Sequence, residues 1–83
     1  MKKYKFMNKK ILSFSVIYRA VPEGGYIVSV PVLPGCHTQG ETLEEAETNI
    51  KEAISLYLES LLSRKEKLPQ ETGMLQGRVE IQV

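Results

Sequence analysis

One stretch restricts the possible folds more than any other. Thr42-Leu43-Glu44-Glu45 has the form of a helix-capping box. The threonine hydroxyl can accept a hydrogen bond from the Glu45 amide, while the Glu45 carboxylate reaches back to the Thr42 amide. Beyond it Leu43, Ala46, Ile50, Ala53, Ile54, Tyr57, Leu58, Leu61 and Leu62 recur at steps of three and four. That spacing gathers side chains on one face and predicts a helix of about 22 residues. Lys65 and Lys67 suit its negative end, and Pro69 prevents continuation. Leu56 widens the stripe, which is broad enough to serve a sheet and a second subunit.

The residues before the helix supply the sheet. Residues 12–20 alternate, with Phe14, Val16 and Tyr18 on one face and Ser13, Ser15 and Arg19 on the other. Pro22-Glu23-Gly24-Gly25 predicts a turn, and residues 26–33 a second strand with Tyr26, Val28 and Val30 on one face. Pro31 and Pro34 should make the end of that strand edge-like or bulged, since proline donates no ladder hydrogen bond. Gly35 marks a bend, Cys36–Gln39 a short third strand, and Gly40 its end. Residues 78–83 alternate again, with Val79, Ile81 and Val83 inward, and predict a last strand. The expected fold class is α+β in the order β-β-β-α-β: a small, mostly antiparallel sheet with one long helix on one face.

A chain of 83 residues fits one domain. The expected division is a basic leader at 1–11 and a single α+β domain at 12–83. Lys2, Lys3, Lys5, Lys9, Lys10 and Arg19 give residues 1–22 a charge of +6, with no acid among them. Residues 23–83 hold ten glutamates against Lys51, Arg64, Lys65, Lys67 and Arg78, a balance of −5. An acidic domain repels nucleic acid and suits a cationic partner. The helix side opposite the stripe carries Glu44, Glu47, Thr48, Lys51, Glu52, Ser55 and Glu59. Glu44, Glu47, Glu52 and Glu59 are therefore the candidate partner-binding residues. A domain this small buries limited apolar surface, and self-association as a homodimer or homotetramer would supply more. No apolar run approaches membrane-spanning length.

The residues hold no evident catalytic constellation. Cys36 and His37 are neighbours in a strand, so their side chains should point to opposite faces. No basic cluster or helix start adjoins Cys36 to activate its thiol. One Cys and one His cannot complete a tetrahedral metal site, and Gly24-Gly25 lacks the spacing and lysine of a phosphate loop. There is no zinc finger and no second helix for a helix-turn-helix. The expectation is a protein that binds another macromolecule, with no catalytic, metal or cofactor residues, working in the cytoplasm where a lone thiol stays reduced.

Three blocks together carry a family resemblance: Gly24-Gly25-Tyr26; Val30-Pro31-Val32-Leu33-Pro34-Gly35-Cys36; and Thr38-Gln39-Gly40-Glu41-Thr42-Leu43-Glu44-Glu45-Ala46. With Asn49 to Leu62 following, residues 12–69 resemble the HicB-like antitoxins. Val32 departs from the pattern, where members often have an acidic residue. The resemblance implies a partial ribonuclease-H-like fold without ribonuclease chemistry. It also implies a HicA-type partner, a small basic ribonuclease that cleaves mRNA. It does not extend to the C-terminal ribbon-helix-helix or helix-turn-helix module of many such antitoxins, so DNA binding is not expected. Two other readings are a stand-alone homo-oligomeric module with an unknown ligand, and a nucleic-acid binder using the lysine leader.

Overall fold

The computed structural model describes residues 11–71, 73 and 75–83. The basic leader therefore lies, apart from Ile11, outside the described residues. Three strands form one antiparallel sheet in the order β1-β2-β3: β1 at Ile17–Ala20, β2 at Tyr26–Ser29 and β3 at His37–Gly40. Ile17 pairs with Ser29, and Tyr26 pairs with Ala20 on one side and Gly40 on the other. One helix, α1, follows at Leu43–Ser63. The fold is α+β, as the sequence indicates. Among the described residues no helix is long and apolar enough to cross a membrane.

The prolines explain why the strands are shorter than their alternating patterns. Val21 O accepts from the Gly24 amide at 2.8 Å, closing a turn with Pro22 at its second position. Val30 O accepts from the Leu33 amide at 3.0 Å, and Leu33 O from the Cys36 amide at 2.9 Å. Pro31 and Pro34 occupy the second positions of these consecutive turns, where their fixed φ fits. Gly35 stands third in the second turn at φ 81°, the left-handed value that a Pro-Gly type II turn requires. The chain thus leaves the ladder after Ser29, and among the described residues no strand lies opposite residues 12–16. The Ser15 amide instead donates to a Glu71 carboxylate oxygen at 2.7 Å, and its hydroxyl donates to the other oxygen.

The turns drive Leu33 into the core, where it and Val28 are fully enclosed beside Val30, Cys36, Ala46 and Ile50. The helix begins as the capping residues direct: the Glu45 amide donates to Thr42 Oγ1 at 3.0 Å. The Glu45 carboxylate accepts from the Glu41 amide at 2.6 Å, one residue earlier than the Thr42 amide expected. Gly40 lets the helix start lie directly on β3, since a Cβ there would be 2.5 Å from the Ala46 nitrogen. Asn49 Nδ2 donates to Gln39 O at 2.8 Å and holds the next turn to the same strand. At its other end α1 closes with Lys65 N–H to Leu62 O and Glu66 N–H to Leu61 O, both 2.9 Å. Lys65 takes the left-handed conformation at φ 59° that this closure needs.

The expected last strand is corrected: residues 78–83 form no strand, so the order among the described residues is β-β-β-α. Val79 and Ile81 are 84% and 75% exposed, and Val83 is fully exposed. Alternation gives a segment one apolar face, but a ladder also needs a neighbouring strand, and among the described residues none pairs with this segment.

Candidate protein-binding surface

The apolar stripe of α1 fixes where its acids lie. Ala46, Ile50 and Leu61 are buried and Ala53, Ile54, Tyr57 and Leu58 half-buried, which turns Glu44, Glu47, Glu52 and Glu59 to solvent. The four do not converge. Glu52 and Glu59, seven residues apart, lie two turns apart along one side of the helix. Glu47 lies around the cylinder, 4.0 Å from Lys51 in an exposed pair. Such a pair contributes little to stability. The acids offer a charged surface without a focused pocket.

Glu47 and Lys51 rim the more distinctive feature. The helix packs over β3 and β2 and leaves the inner side of β1 partly uncovered. An open groove of about 530 Å³ results, between Leu12, Phe14, Val16 and Tyr18 on one wall and Ile50, Ile54 and Leu58 on the other. The sequence pattern places these residues on inward faces correctly. What it does not show is that the helix sits off-centre, because that follows from the Gly40–Ala46 contact and the Asn49 bond to β3. The breadth of the stripe was the available signal. The outer sheet face adds Ile17 and Ile27, each more than a third exposed. Leu56, on the helix, is 59% exposed.

The residues with chemical potential are placed apart. Cys36 is buried in the core just before β3, while His37 is exposed. Burial pushes the Cys36 thiol above its ordinary value and keeps it protonated. The helix N-terminus is occupied by the Thr42 hydroxyl and the Glu45 carboxylate. Among the described residues no three His, Cys or Glu side chains gather as a metal site would require. The two hydrogen bonds from Ser15 hold the Glu71 carboxyl below its usual range. The sequence carries no local signal for that contact, which joins residues 56 positions apart.

Comparison with known proteins adds to this surface. Residues 14–80 match the profile described as the HicB_like antitoxin of bacterial toxin-antitoxin system. The chain is 50% identical over 62 residues to UPF0150 protein Ta0767 of Thermoplasma acidophilum, covering 75% of this chain and 90% of that one. It is 46% identical over 63 residues to UPF0150 protein ssr1765 of Synechocystis sp., covering 76% and 80%. The crystal structure of TTHA0281 from Thermus thermophilus is similar, with a TM-score of 0.61 and 34% identity, over 65% of this chain and 68% of that one.

Proposed function

Because the chain belongs to the HicB-like antitoxin family, we propose that it binds and masks a small, basic, mRNA-cleaving toxin of the HicA type. The family match across residues 14–80 carries this reading. The charge supports it: from residue 23 onward ten glutamates face five basic residues. Opposite charge speeds encounter with a cationic ribonuclease and orients it. Glu44, Glu47, Glu52 and Glu59 are the contacts assigned to the toxin, all exposed on α1. The work is done by covering the toxin's active site and RNA surface rather than by turnover, within a single domain over 12–83. Since the target cleaves mRNA, the site of action is the cytoplasm. No DNA contact is assigned to these residues, because the acidic helix side repels phosphates.

The test is co-expression with the small basic protein encoded beside this chain's gene. A co-purifying complex, restored growth and blocked RNA cleavage are expected. No complex and no growth rescue would overturn the reading.

The half-covered groove and the exposed Val79 and Ile81 favour a second property, self-association into a homodimer or homotetramer. Without a toxin partner it would stand alone as a homo-oligomeric module with another ligand. Light scattering at micromolar concentration tests it, and a monomer would refute it.

A further inference from the structure

Two features of the molecule are complementary and unused. The first is the outer edge of β1, which has β2 on one side and, among the described residues, no strand on the other. All four residues of β1 are exposed, and the apolar groove lies beneath that edge. An unpaired edge offers backbone N–H and C=O groups to an added strand. The second is the segment 75–83, where Val79, Ile81 and Val83 alternate with Arg78, Glu80 and Gln82, and every residue is exposed. It is a strand pattern outside the sheet, and among the described residues the edge of β1 carries no partner.

Connectivity decides which copy supplies the strand. Glu71 is tied to Ser15, so the segment departs from beside the start of β1. Running along its own β1 from there, it could pair only in parallel. In the structure it does not pair at all. A second copy can present its segment antiparallel, the slightly more stable pairing. Nine extended residues span about 30 Å, ample for a four-residue edge and the approach to it.

We propose that residues 75–83 of one copy add as an antiparallel strand to the outer edge of β1 in a second copy, with Val79 and Ile81 over the groove. The exchange is reciprocal about a two-fold axis, so each copy gains the strand it lacks. This rests on the self-association reading and assigns its contact.

The full chain is compared by light scattering with the double variant Val79→Glu/Ile81→Glu. Both side chains are exposed in the single copy, so circular dichroism should report unchanged helix. The full chain is expected to be a dimer, and the variant to dissociate at least tenfold more readily. A dimer unaffected by the double variant overturns the strand exchange and leaves self-association standing. A monomeric full chain overturns both. Mixing a Tyr18→Cys chain with an Ile81→Cys chain under oxidation should give a disulfide-linked heterodimer. Cross-linking only within one chain carrying both substitutions overturns the exchange in favour of closure within a single copy.

Discussion

At position 40 a single methyl group decides whether the helix can rest on the sheet. A Cβ there would meet the Ala46 nitrogen at 2.5 Å and its Cα at 2.8 Å, both backbone atoms that no side-chain rotation relieves. Gly40→Ala should therefore destabilise the fold by about 1–3 kcal/mol, the range for overpacking, measured by urea unfolding. The reason is space, since Gly40 is not in the left-handed region, whereas Gly35 is. Glu71 gives a pH dependence of definite sign. Its folded pKa is depressed by the two hydrogen bonds from Ser15, so its stabilisation is present above the ordinary carboxylate range. It is lost as pH falls through the folded value. Glu71→Gln should remove that part of the acid-side slope, read as a flatter urea midpoint against pH below neutrality.

The elements show which sequence signals carried structure and which did not. The capping residues and apolar stripe located α1 at Leu43–Ser63 because helix formation depends on neighbours three and four apart, all visible locally. The turns were legible for the same reason, each resting on a proline and nearby glycines or carbonyls. Strand extents were not, because a ladder depends on what lies opposite, and Pro31 ends it for residues 12–16 from another part of the chain. The segment 78–83 meets the same limit: its alternation is present, and among the described residues it has no neighbouring strand. Of the candidate surface, the exposed glutamates were legible and the groove was not, since it depends on where α1 rests across the sheet. The C-terminal closure of α1 gives a further prediction. Lys65 holds φ 59°, a conformation that costs a non-glycine residue roughly 1–2 kcal/mol. Lys65→Gly relieves that cost and loses part of the gain to chain entropy. A net stabilisation of about 0.5–1 kcal/mol is expected by denaturant midpoint.

For the whole molecule, Glu52 and Glu59 lie away from the apolar groove, whose rim holds Glu47 and Lys51. The acidic residues of α1 face solvent on one side, and the groove opens beside β1. Reversing Glu52 and Glu59 to lysine should slow association with a basic toxin at low salt and leave self-association intact. The difference should shrink as ionic strength rises and the screening length shortens. Stopped-flow mixing at two salt concentrations measures it. The order of packing also bears on how the chain acquires its shape. Each strand pairs with the strand before it, and α1 rests mainly on the strand it follows. Such pairing of neighbours in sequence favours rapid refolding. A refolding trace should then open with a fast phase whose rate is independent of dilution. A slower phase should follow whose rate climbs with protein concentration, as separately folded copies find one another.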